Sequence, residues 1–201
     1  MRFLLMLFGI FIISPMIIAN PVIYQDGKMI DMTIDSKAID VAYFYSLTSQ
    51  RSVGYRYFQI ATEASPMHIV QTNFLLKRWN EPDTQANVYV MTGIGFQKQM
   101  FISYLGGETD WESREYYISG AAEYYWAKKT STKVVFRIGM APYKAEYDEL
   151  NTWFILQAIQ LNSGNDQSQY ILPTLRLFKD NGLVELGSNG KIHSINLRLH
   201  F

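Results

Sequence analysis

The final seven residues, Ile195-Asn196-Leu197-Arg198-Leu199-His200-Phe201, carry apolar side chains on every second position and stop on an aromatic. Successive side chains of an extended chain point to opposite faces, so this segment has one apolar face and one polar face. A wall with apolar surroundings outside and a wet interior satisfies both at once. Ile195, Leu197, Leu199 and Phe201 form the outward set. Ser194, Asn196, Arg198 and His200 form the inward set. His193 interrupts the outward pattern, where an apolar residue is more usual.

The other end of the chain reads as a leader. Arg2 precedes an almost unbroken apolar run from Leu4 to Ile13, Ser14-Pro15 break it, and Ala19 is a small residue suited to signal peptidase. Cleavage is expected after Ala19. The run is too short to span about 30 Å of hydrocarbon, which needs roughly 20 apolar residues. Removing 19 of 201 residues leaves 182, enough for one domain or one small barrel. Every later apolar run is soon interrupted by Arg, Lys, Glu, Gln or Asn. Membrane residence of the remainder therefore requires closed β-structure, the other way to satisfy every backbone group in lipid.

The chain has no cysteine, which removes disulfide staples, thiol catalysis and thiolate metal sites. Its 18 basic and 18 acidic residues cancel, unlike the basic footprint of a nucleic-acid binder. Fourteen Tyr, twelve Phe and four Trp supply rings suited to membrane interfaces.

Between the ends, segments of alternating polarity are separated by turn-formers such as Asn162-Ser163-Gly164-Asn165 and Asp180-Asn181-Gly182. They predict strands over 39–48, 52–61, 67–79, 86–96, 113–127, 132–145, 150–161, 167–179, 182–188 and 190–201. For 113–127 and 132–145, a register with paired numbers summing to 260 sets Glu123 against Arg137 and sorts apolar bulk to the opposite face. The Asn-Gly turn joins 167–179 to 182–188 and brings Glu185 to the face of Arg176, within one register step. Segment 97–112 is read as an extension of the preceding strand followed by a Gly106–Asp110 loop. Residues 20–36 are read as a periplasmic extension, and 37–201 as the barrel.

These features resemble those of small Gram-negative outer-membrane β-barrel proteins. The shared features are the leader, the alternating strands and a C-terminal strand matching at Ile195, Leu197, Leu199 and Phe201, with His193 departing from the pattern. The resemblance implies an all-β, closed antiparallel transmembrane barrel of eight or ten strands with short turns. It also implies an outer-membrane location, contact with outer-membrane lipid and lipopolysaccharide, and recognition of the last strand by the outer-membrane assembly machinery. It points to no particular functional family.

The expected interior holds a charge network of Glu123, Arg137, Arg176, Glu185 and Arg198, mostly filling the lumen or lining a narrow small-solute pore. No catalytic residue, metal ligand or cofactor is assigned. The three histidines, at 68, 193 and 200, show no metal-ligand spacing. A lipid or lipopolysaccharide hydrolase is an alternative, but His193 and Ser194 point to opposite faces, and Ser194 lies roughly 20 Å along the strand from His200. Segment 104–112, with two Gly, three carboxylates and a Trp, and the acidic, Tyr-rich segment 143–149 are read as solvated turns in preference to calcium loops. A soluble periplasmic barrel holding an apolar ligand is the remaining alternative.

Overall fold

The computed structural model describes residues 21–127, 129–146 and 149–201. The leader and its cleavage site lie outside them. Twelve strands appear among the described residues, not eight or ten. In chain order they are β1 (Lys28–Asp35), β2 (Ala38–Thr48), β3 (Arg51–Ile60), β4 (Met67–Asn80), β5 (Thr84–Gln97) and β6 (Met100–Ser113), followed by β7 (Tyr116–Trp126), β8 (Ser131–Met140), β9 (Asn151–Ser163), β10 (Asp166–Lys179), β11 (Gly182–Ser188) and β12 (His193–His200).

Each strand pairs antiparallel with its chain neighbours, and β1 pairs with β12 to close the barrel. Closure removes both sheet edges and satisfies the backbone ladder all the way round. The seam runs from Met29 opposite His200 to Asp35 opposite Ser194. Beyond it, the Lys28 amide donates to the Phe201 carbonyl at 2.7 Å, and the Phe201 amide returns to Lys28 at 2.9 Å. An even strand number brings both ends of the barrel chain to one mouth, here called the terminal mouth. The opposite opening is the far mouth.

The two strands missing from the sequence reading are β1 and β6. Residues 28–35 are part of the wall, not of an extension, with Ile30, Met32 and Ile34 facing out and Met29, Asp31, Thr33 and Asp35 facing in. These residues alternate cleanly, but no Asn-Gly type turn marks the Ser36-Lys37 connection to β2, unlike the one before the similarly short β11. In β6 the outward face is diluted by Ser103, Gly107 and Thr109, so Gly106-Gly107 resembles a loop although it lies mid-strand. The β7–β8 register sums to 256 instead of 260, so Glu123 faces Lys133 and Arg137 faces Ser119. A four-residue shift preserves parity, and face-sorting alone cannot distinguish the two registers. Strand β8 also ends at Met140, with the remaining predicted strand residues forming the connection to β9.

Outside, the wall is apolar. Val70, Ile94, Phe136, Phe154, Ile171 and Ile195 are all exposed. So continuous an apolar surface is foreign to a water-soluble monomer, but it matches the lipid-facing band of a membrane barrel. Trp79, Trp111 and Tyr116 lie toward the terminal mouth, while Phe96, Phe101, Tyr124 and Trp126 lie toward the far one. The wall packs backbone against backbone closely at two glycines. A Cβ on Gly54 would lie 1.9 Å from the Tyr43 carbonyl oxygen, and one on Gly95 would lie 1.9 Å from that of His68. Both positions accommodate backbone approaches that any side chain would block.

The interior is not purely polar. Phe58, Ile60, Met67, Ile69, Met91, Ile102, Tyr104, Tyr125 and Leu161 pack together as an apolar core inside the lumen. Filling one side of the barrel in this way confines water to the remaining space.

Candidate functional site: the barrel lumen

Inward parity brings charged side chains from most of the strands into this space. At its centre Arg56, on β3, is buried and spans two carboxylates: Asp40 on β2 at 2.6 Å and Glu123 on β7 at 2.7 Å. Tyr104 and Tyr125 hydroxyls donate to Glu123 at 3.0 and 2.9 Å. Lys133 on β8 reaches Asp40 at 3.3 Å. The guanidinium also lies over the rings of Phe58 and Tyr104, 5.3 and 5.4 Å from their centroids. Opposite charges and hydroxyls thus compensate one another where bulk water is excluded.

Two further pairs flank this centre. Arg176 and Glu185 face each other directly across β10 and β11, with Nη2 2.7 Å from Oε1. Arg198 holds Asp31 across the β1–β12 seam. Asn196 reinforces the same seam by donating to Asp31 at 2.7 Å and to Thr33 at 2.8 Å.

All five residues expected in the charge network therefore face the lumen. Arg176 meets Glu185, while Glu123 and Arg137, paired in the sequence reading, do not meet. Glu123 is held by Arg56 instead, and the Arg137 Nε has no hydrogen-bond partner among the described residues. Sequence reading places Lys133 inward beside Arg137 but misses Arg56, Asp40 and Asp31. Their alternation was available, but pairing across 67 residues, as between Arg56 and Glu123, leaves no local sequence mark.

Strand β6 adds an acidic ladder. Glu108, Asp110 and Glu112 occupy alternate positions and share its inward face, where the sequence predicts a solvated turn. Asp110 accepts a hydrogen bond from Asn87 at 2.7 Å. The other acidic segment, 143–149, does join two strands, with the Tyr143 hydroxyl donating to the Leu150 carbonyl; residues 147 and 148 are outside the described set. No cluster of metal-ligating side chains occurs among the described residues.

Among the described residues, cavities of about 130 and 60 Å³ lie inside the barrel. Both are bordered by Asp40, Lys133 and Arg137. At the terminal mouth, residues 21–23 fold back as a strap against the inner wall. Val22 is buried against Leu75 and Tyr89, while Ile23 packs on Met29, Ala42 and Phe44. The Pro21 carbonyl accepts hydrogen bonds from Ser52 Oγ at 2.8 Å and Asn73 Nδ2 at 3.3 Å. The Ile23 amide donates to Ser46 Oγ at 3.2 Å.

The hydrolase alternative finds little support in this geometry. Both ring nitrogens of buried His200 lack a hydrogen-bond partner among the described residues, so no hydroxyl is poised against it. His193 Nδ1 instead lies 3.0 Å from Ser188 Oγ, across the last rung of the β11–β12 hairpin. That contact sits in the strand-closing turn beside Asn189 and Gly190.

No family model matches the sequence, and no curated protein does. Among solved structures, the barrel is similar to a KdgM porin in complex with disordered oligogalacturonate. The match has a TM-score of 0.54 and 8% identity, covering 87% of this chain and 98% of that one. A second KdgM porin structure matches with a TM-score of 0.48 and 9% identity over the same shares. Pseudomonas aeruginosa OccK8 (OprE) matches with a TM-score of 0.40 and 6% identity, covering 82% of this chain and 57% of that one. The protein thus shares the closed β-barrel fold of the KdgM porin.

Proposed function

We propose that this protein is an outer-membrane pore with a narrow, charge-lined lumen that passes small hydrophilic solutes. The observation that carries this reading is the combination of an exposed apolar belt with a charged interior containing cavities. Lipid and lipopolysaccharide surround the belt, and the assembly machinery reads the C-terminal strand. The leader delivers the chain across the inner membrane. The lumen is partly filled by its apolar core and strap, so it is a restrictive conduit. Most of its cations are engaged by carboxylates, while Glu108 and Glu112 on β6 face the interior outside the ion pairs found among the described residues. This balance favours cations and neutral or dipolar solutes over polyanions such as the oligogalacturonate of the KdgM complex.

Planar bilayers containing the refolded barrel test the reading. Discrete conductance steps are expected, with a reversal potential favouring potassium over chloride in asymmetric KCl. Absence of both conductance and solute-driven swelling of proteoliposomes overturns the pore. Recovery of the protein from the periplasmic fraction without detergent overturns the membrane assignment and favours a soluble barrel.

A further inference from the structure

The lumen cations differ in how they are neutralised. Arg56, Arg176 and Arg198 each hold a carboxylate in direct contact. Arg137 has no ion-pair partner within 4 Å among the described residues, and its Nε is buried without a hydrogen bond. It nevertheless borders both cavities. Glu108, on the wall of the larger cavity, likewise has no such ion-pair partner among the described residues. Leaving two opposite charges separated in a confined space forgoes the compensation found elsewhere in this lumen.

The register explains why they do not meet. Glu108 lies opposite Ala121 on β7, which lies opposite Val135 on β8; Arg137 is two residues further along β8, opposite Ser119. Two strand spacings across and two residues along give a Cα separation of about 12 Å. The intervening inward residues, Ala121 and Ser119, are small, so the floor between the charges is low. Both also line the larger cavity. The neighbouring charges on β1, β10, β11 and β12 are held in ion pairs, and those on β6 are carboxylates like Glu108. Glu185 is bonded to Arg176 and Asp31 to Arg198, while Asp110, across Ser119 from Arg137, accepts from Asn87 through Oδ1 and leaves its Oδ2 without a hydrogen bond among the described residues. Arg198, which holds Asp31, is a second cation within electrostatic reach of Glu108 beside Arg137.

We infer that this notch is a binding site for small zwitterions of the α-amino acid class, with the ammonium group on Glu108 and the carboxylate on the Arg137 guanidinium. A guanidinium matches a planar carboxylate in two parallel hydrogen bonds, and a carboxylate accepts from an ammonium. The cavity of about 130 Å³ is several times the 10–15 Å³ that a single water requires, room for a molecule with a short side chain. A solute carrying only one of the charges satisfies only one wall. The site refines the proposed pore by naming its solute class, and it requires only that the lumen admit the solute.

The test uses the full mature chain in detergent, with L-serine as probe and ethanolamine and glycolate as single-charge analogues, read by saturation-transfer NMR. Saturable L-serine binding is expected, at least tenfold tighter than either analogue. Glu108→Gln and Arg137→Gln should each reduce it to the level of the analogues, and the double exchange E108R/R137E should restore it. Heat-modifiable migration of each variant verifies its fold. Absence of L-serine binding, or binding unchanged in both single variants, overturns the site. Bilayer conductance of the same preparation separates the two proposals: conductance without L-serine binding removes the site and keeps the pore, whereas binding without conductance removes the pore and keeps the site.

Discussion

Arg56 has the most partners of any lumen side chain described, and its removal has a calculable consequence. Arg56→Ala would leave Asp40 and Glu123 facing each other with only Lys133 to offset them. Breaking a buried ion pair by deleting one partner costs about 3–5 kcal/mol, so the urea midpoint of the refolded barrel should fall sharply. Arg198→Ala should cost less, because Asp31 keeps its hydrogen bond from Asn196. On the outer surface the sign of the requirement reverses. Phe136 faces out near the middle of β8, and Phe136→Arg should destabilise the barrel in lipid vesicles by about 2–4 kcal/mol, measured by urea titration. Alternation alone assigned Glu123, Arg137, Arg176, Glu185 and Arg198 to the interior. It could not identify Arg56 as the partner of Glu123, because that pairing is created by closure of the wall and not by neighbouring strands.

At the scale of elements, strands with a turn signal and a continuous outward set were legible. The Asp180-Asn181-Gly182 hairpin, with Arg176 against Glu185, is the clearest example. Strands β1 and β6 were not, for different reasons: β1 alternates but lacks a strong turn signal before β2, and β6 places Ser, Gly and Thr on its lipid side. Inward apolar residues such as Phe58 and Ile69 also escaped a reading in which polar meant inside. The strap is the element with the most direct functional consequence. It is held by three hydrogen bonds and two buried side chains, so its displacement should be tolerated by the wall. A chain beginning at Tyr24 is expected to keep heat-modifiable migration while showing larger conductance steps than the parent in planar bilayers. Val22→Asp should act similarly, since an unpaired carboxylate against Leu75 and Tyr89 is costly to bury. Equal step sizes in all three proteins would exclude the strap as an obstruction.

Across the whole molecule, curvature is the condition that sequence alternation leaves unspecified. Ten segments and twelve strands share the same in-and-out rule, and the number follows from how tightly the sheet can bend and meet itself. Gly54 and Gly95 allow two of the close backbone approaches within that wall. Gly54→Val should prevent closure, seen as loss of the heat-modifiable species after refolding, because the Tyr43 carbonyl already occupies the Cβ position. The seam carries a further consequence. The strap leads through a short turn directly into β1, and β1 is the strand that must find β12, with contacts spanning more than 160 residues. Zipping the first strand onto the last therefore draws the strap into the terminal mouth in the same movement. Sealing the wall and corking the vessel become one event, and an assembly intermediate whose first strand is still unpaired is leaky for two reasons at once.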